Sequence, residues 1–233
     1  MSEKTIFNIA FNCDSTLVSI EGPVELARRL KVQGIDELTE QAMQGEASFT
    51  EVFRRRFELL QPSLPDVQWL GSRYLETIVP GAREVIQTLK DQGHRIYLIA
   101  PGYRTAILKL AKYLGIPSLN VCAVDIEFDS VGKYLSFDED NILTTDEGIP
   151  MVLAEIAKLG PTIYIGDSVR DLDTRSVVDL FIGFGGVRFR QKVADEAEVY
   201  VKTPNFLPVL AHIQNRIQII HERRMNKAAL AMV

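Results

Sequence analysis

Cysteine is nearly absent from this chain of 233 residues. Cys13 and Cys122 are the only two, so neither a disulfide framework nor a zinc site of clustered cysteines can be built. Such usage suits a reducing compartment, and a cytoplasmic location is expected. Basic runs are missing too: the longest is Arg54-Arg55-Arg56, and a formal net charge of -5 with a pI near 5.3 gives no field that would draw nucleic acid or an anionic membrane. No apolar run approaches the roughly 20 residues that cross a bilayer, and the opening MSEKTIF has no apolar signal region. The expected partner is therefore a small molecule, with a protein as the other candidate, and neither nucleic acid nor membrane is expected. Histidine is scarce, and His94, His212 and His221 fall on helix ends or faces, where surface or core service is expected. The single tryptophan, Trp69, reads as packing.

At 46% hydrophobic, the chain can bury a substantial core. Short apolar strands are predicted at Thr5 to Phe11, Arg95 to Ile99, Thr162 to Ile165 and Leu180 to Ile182. Between them, 82–92, 103–114 and 150–159 space apolar residues at three and four, the period of a helix. Alternating strands and helices predict a doubly wound parallel α/β sheet. Residues 18 to 78 break that rhythm. Helical patterns at 23–30, 36–44, 50–60 and 65–75 follow one another between Pro62, Pro65 and Pro80, so a helical cap is expected over 18–78, with the α/β core in 1–17 and 79–233. Residues 122–136 read as a hairpin turning near Asp129 to Gly132. After Asn205 an amphipathic helix is expected to pack on the core, with 222–233 as a frayed tail.

Parallel sheets gather their functional loops at the carboxyl ends of the strands. Two acidic loops qualify. The first strand runs into 12-NCDST-16, and a later one runs into 166-GDSVRD-171. Clustered carboxylates in a dry cleft favour a hard cation such as Mg²⁺, and glycine lets the backbone approach closely. Asp is also common at strand ends for turn chemistry alone, so the pairing of two such loops carries more than either.

The order of these motifs, with 42-AMQGEASF-49, 77-TIVPGAREVIQTL-89, 132-GKYLSFDE-139 and 181-FIGFGG-186, resembles the haloacid dehalogenase superfamily and, within it, the phosphoserine phosphatases. The resemblance spans nearly the whole chain and implies the same core sheet with an inserted helical cap. In that family the first loop aspartate attacks phosphorus, the second is general acid and base, and a hydroxyl, a lysine and Mg²⁺ hold the phosphoryl oxygens. By resemblance the nucleophile position is Asn12, the acid/base Asp14, the hydroxyl position Ala100 and the lysine position Ile149. Asn12, Asp14, Asp167 and Asp171 fall on the metal-binding positions, and Glu21, Met43, Phe49, Arg56 and Gly102 fall on those that recognise the amino acid.

Three of the four chemical positions depart from the family pattern. An amide is far too weak a nucleophile at phosphorus, alanine offers no hydrogen bond, and isoleucine brings no charge. The expectation is a protein with a pocket for a ligand resembling serine or phosphoserine, weakened Mg²⁺ binding and little phosphatase activity. The alternative is a working Mg²⁺-dependent phosphoserine phosphatase, with Asn12 engineered or converted to Asp. Arg170, inside the second loop, reads either as a solvated side chain or as charge that replaces the missing lysine. Cys13, with no base evident nearby, is expected to be inert, and Cys122 structural.

Overall fold

In this computed structural model residues 5–230 are described, with side chains to residue 223. Six parallel strands form the main sheet: β1 (Asn8–Phe11), β2 (Arg95–Tyr103), β3 (Val121–Val124), β6 (Thr162–Gly166), β7 (Leu180–Phe184) and β8 (Val199–Val201). Their order is β3-β2-β1-β6-β7-β8. Phe11 aligns with Leu98 on one side and Ile165 on the other. The chain steps outward from β1 in one direction and then, from β6, in the other. Because such crossovers are right-handed, the two halves lay their helices on opposite faces, and the order reverses between β1 and β6.

The apolar strands are buried because both faces are covered. β1 and β6 are solvent-excluded along their whole length. The helices α5 (Ala82–Asp91), α6 (Arg104–Leu114), α7 (Gly148–Ala157) and α9 (Leu207–Leu230) supply the cover, with Val85, Ile86 and Leu89 of α5 and Ile107 and Leu110 of α6 turned inward.

Between β1 and α5 stand four helices and no strand of the sheet: α1 (Gly22–Leu30), α2 (Ile35–Gln44), α3 (Phe49–Leu60) and α4 (Leu64–Glu76). At the foot of this insert Val18 bridges Ile78, so the chain leaves and re-enters the core at one point. α4 lies close on α6, where a Cβ on Gly71 would come within 3.2 Å of the Ala106 backbone. α3 is tied down by rings: Phe57 lies 4.7 Å from Phe137, 5.2 Å from Tyr103 and 5.9 Å from Tyr134 between centroids.

Some expectations need correction. Residues 121–124 are not one arm of the hairpin but the parallel edge strand β3, paired with β2. The hairpin is shorter, β4 (Ile126–Phe128) with β5 (Tyr134–Phe137), and closes at Asp129, whose carboxylate accepts the Val131 and Lys133 N–H groups. α8 (Gln191–Glu196) and β8 carry patterns too short to stand out. The last helix continues through 222 to Leu230 instead of fraying, and 231–233 lie outside the described residues. Among the described residues no helix is long and apolar enough to cross a membrane.

Candidate functional site

The carboxyl ends of β1 and β6 are adjacent, so their two acidic loops meet. Residues Cys13–Leu17 leave β1 in one wide turn, with Ser15 in the left-handed region at φ 51°. That turn brings Ser15 Oγ to Glu21 Oε1 at 2.6 Å and Asp14 Oδ2 to the Gly22 N–H at 2.8 Å. Asp14 thereby sits at the amino terminus of α1, where the helix dipole favours a negative charge. On the other loop Asp171 is a brace. Its Oδ2 accepts the Asp167 and Ser168 N–H groups and Ser168 Oγ, and its Oδ1 accepts Tyr164 OH. Gly166 is required here, since a Cβ would fall 2.5 Å from Asp171 Cγ.

Asn12 is oriented without ambiguity. The Cys13 N–H, 2.8 Å away, needs an acceptor, so the amide oxygen faces it and the NH₂ faces the other way. That NH₂ donates to Asp167 Oδ1 at 3.0 Å and to the Asp14 carbonyl at 3.3 Å. Asp167 Oδ1 also accepts Thr16 Oγ1 at 3.0 Å. Its Oδ2 lies 3.5 Å from Nη2 of Arg190, an ion pair by distance without hydrogen-bond alignment. Arg190 is 1% exposed and reaches across to Glu40 of α2 at 2.7 Å.

These contacts bear on a metal. The positions that a hard cation would draw on are held by donors of the chain itself: an amide NH₂, a hydroxyl and a guanidinium. Asp14 Oδ1 and Asp167 Oδ2 are the buried acid oxygens among them without a hydrogen-bond partner. Among the described residues no three His, Cys, Asp or Glu side chains converge as metal ligands. As arranged here, the Asn12 amide, the Thr16 hydroxyl and Arg190 would compete with a cation such as Mg²⁺ for Asp167.

A cavity lies between these loops and the helical insert. Asn12, Asp14, Ala100 and Ile149 line it, and so do Glu21, Met43, Phe49, Arg56 and Gly102. Asp167 and Asp171 stand behind that lining. Its volume for water-sized occupants is about 40 Å³, room for roughly three waters. Burial pushes Asp14 up to about 6 and Glu21 up to about 7, and Asp167 up to about 7. Burial also raises Cys13 well above its ordinary value, which leaves it an inert thiol.

Two residues were not foreseen from sequence. Asp146 leaves the core loop to cap α3: Oδ1 accepts the Phe49 N–H at 2.6 Å, and Oδ2 accepts Ser48 Oγ and Thr50 Oγ1 at 2.8 and 2.9 Å. Arg190 is the other. Neither has a local sequence pattern: the partners of Asp146 lie 96 to 98 residues away, and Glu40 lies 150 residues from Arg190. Arg170, left with two readings by its sequence context, is not solvated: it is 7% exposed and lines the cavity, stacked on Phe49 with 3.3 Å from Cζ to the ring centre.

The haloacid dehalogenase-like hydrolase family model matches residues 8–175. Phosphoserine phosphatase of Bos taurus is 34% identical over 83% of this chain and 88% of its own length, and that of Homo sapiens 33% over 88% and 92%. A substrate-bound phosphoserine phosphatase complex superposes with a TM-score of 0.79 at 26% identity, covering 90% of this chain and 99% of that one. A phosphoserine phosphohydrolase-like protein from Francisella tularensis gives 0.78 at 25% identity, covering 89% and 99%.

Proposed function

The chain belongs to the haloacid dehalogenase-like hydrolases, and we propose that, as a phosphoserine phosphatase-like member, it binds an amino-acid-like ligand in the cavity but has little or no phosphatase activity. The observation that carries this reading is the Asn12 amide, turned so that its NH₂ faces Asp167. A nucleophile needs a lone pair aimed at phosphorus, and position 12 presents donors instead. Ala100 and Ile149 add apolar walls where a hydroxyl and an ammonium would stabilise the transferring group. Loss of a single such donor costs roughly 3 to 4 kcal/mol of transition-state stabilisation.

Magnesium binding is correspondingly weak in this reading, since Asn12 and Thr16 hydrogen-bond one Asp167 oxygen and Arg190 stands 3.5 Å from the other. The amino acid end is retained: Glu21 for an ammonium group, Arg56 for a carboxylate, Met43 and Phe49 for apolar contact, and the Gly102 backbone. The cap, residues 18–78, opens to admit the ligand and closes on it, and that shift is read by a protein partner or serves as a sensor. The two unpaired cysteines accord with a cytoplasmic setting.

An active Mg²⁺-dependent phosphoserine phosphatase is the second reading, favoured by relatives of that name matched over most of their length. It requires Asp in place of Asn12. Phosphate release from phosphoserine separates the two when measured for the unaltered chain, for Asn12→Asp, and for Asn12→Asp combined with Ala100→Ser and Ile149→Lys. The proposal expects no sustained turnover by the unaltered chain and little by the single variant. Rapid turnover by the unaltered chain contradicts it.

A further inference from the structure

We propose that the outer face of α7 is a docking surface for a second copy of this chain, which lays its own α7 antiparallel on it about a two-fold axis. The contact is independent of what the cavity binds.

A helix that covers a sheet buries one stripe of side chains and turns charge to water on the other. α5 and α6 do so, with Arg83, Glu84 and Asp91 exposed on the first and Lys109 and Lys112 on the second. α7 does not. Glu155 is the only charged residue among its ten, and while Ile149, Leu153 and Ile156 are buried, the opposite side carries Pro150, Met151 and Ala154. Met151 is 52% exposed. Further apolar side chains stand out at both ends of the helix, Ile142 in the turn before it at 37% exposure and Leu159 just after it at 61%. Clustered apolar surface of this kind marks a place of contact.

The flanking charges identify the partner. Glu147, Met151, Ala154 and Lys158 follow one another at intervals of four, three and four, the spacing of a single seam along a helix. That seam reads acid, apolar, apolar, base, so its reversal is its own complement. In an antiparallel pair Glu147 meets Lys158 of the second copy at both ends, and each Met151 covers the small Ala154 opposite. A parallel pair would set Glu147 against Glu147, which like charge disfavours. Glu147 has no ion pair among the described residues. Lys158 has Glu155 of its own turn at 2.6 Å, a contact of little worth because both side chains are largely exposed. A second copy supplies the matching seam by symmetry alone. Ile149, in the first turn of α7, lines the cavity, so the antiparallel arrangement sets the two cavities at opposite ends of the contact. Ten helical residues make a contact only about 15 Å long, short of a standard interface, so the dimer is weak, with a dissociation constant on the order of 100 μM.

The test is sedimentation velocity of the full chain from about 5 to about 500 μM at low salt, where surface charge is least screened. The unaltered chain is expected to pass from monomer to dimer over that range. Glu147→Lys and Lys158→Glu each create two like-charged pairs across the axis and should weaken the dimer at least about tenfold. Met151→Asp should abolish it. Mixing the Glu147→Lys chain with the Lys158→Glu chain puts opposite charges at both ends of the hetero-pair, so the mixture should dimerise about as well as the unaltered chain although neither variant does so alone. All three positions are exposed, and circular dichroism checks that each variant folds. A chain that stays monomeric to about 500 μM overturns the proposal. So does a dimer indifferent to all three substitutions, or a pair of charge variants that fails to associate when mixed.

Discussion

Replacing one carboxylate oxygen by NH₂ changes the electrostatics of the whole loop pair. With Asp at position 12, a second carboxylate would face Asp167 Oδ1 across the 3.0 Å now spanned by a hydrogen bond, and a cation would be needed between them. Asn12→Asp is therefore expected to lower stability by about 1 to 3 kcal/mol in EDTA and to regain it with Mg²⁺. The unaltered chain should show no Mg²⁺ response, which thermal unfolding with and without the metal will reveal. Glu21 sets a pH dependence. Its folded value of about 7 stands above its ordinary 4.5, so its contribution to stability is present below about pH 4.5 and is lost as pH rises through 7. Denaturant midpoints at pH 5.5 and 8 should show this loss, on the order of a few kcal/mol, and Glu21→Gln should reduce it, the remainder coming from Asp14 and Asp167, which burial raises in the same way. At this scale Asn12, Ala100 and Ile149 depart from the family pattern by residue type alone, and all three line the cavity. What the amide does instead was not legible, because its NH₂ partner is 155 residues away.

Among elements, α3 is fixed to the core at two places, its amino terminus and its ring-bearing face. Asp146 supplies the carboxylate at its amino terminus, beside its own cap residue Ser48, and the rings of Phe53 and Phe57 pack on Phe137 of β5. Asp146→Ala should cost about 0.5 to 2 kcal/mol. Hydrogen exchange should quicken first in α3 and less in β1 and β6; a uniform change across the chain would mean that the contact is not local to this attachment. The helices of the insert were legible from spacing of three and four. β3 was not, since 121–124 and the following hairpin read as one alternating run, and only the parallel register with β2 separates them.

For the whole molecule, the sheet order places the reversal between β1 and β6, which is why two loops 150 residues apart in sequence make one site. The insert closes over that point through contacts of different kinds: Asp146 on α3, Arg190 and Arg188 on Glu40 of α2, and α4 against α6. The resulting cavity has room for about three waters, fewer atoms than even serine carries, so a ligand enters only as some of these contacts yield. Glu40→Ala removes two ion pairs between insert and core, one partly buried and one exposed, and is expected to speed ligand association at a cost of about 1 kcal/mol or less in stability, readable by stopped-flow binding and denaturant unfolding. The parallel sheet was legible in the sequence as alternating strands and helices. The closure was out of reach because it depends on pairings across the insert that have no local pattern.

The decisive measurement is ³¹P NMR of phosphoserine incubated with the unaltered chain and Mg²⁺, since it follows the bound and the hydrolysed phosphorus in one sample. A phosphoserine resonance broadened or shifted by the protein yet intact after many hours is the expected result. Steady growth of the inorganic phosphate resonance would contradict a pocket that binds without hydrolysing.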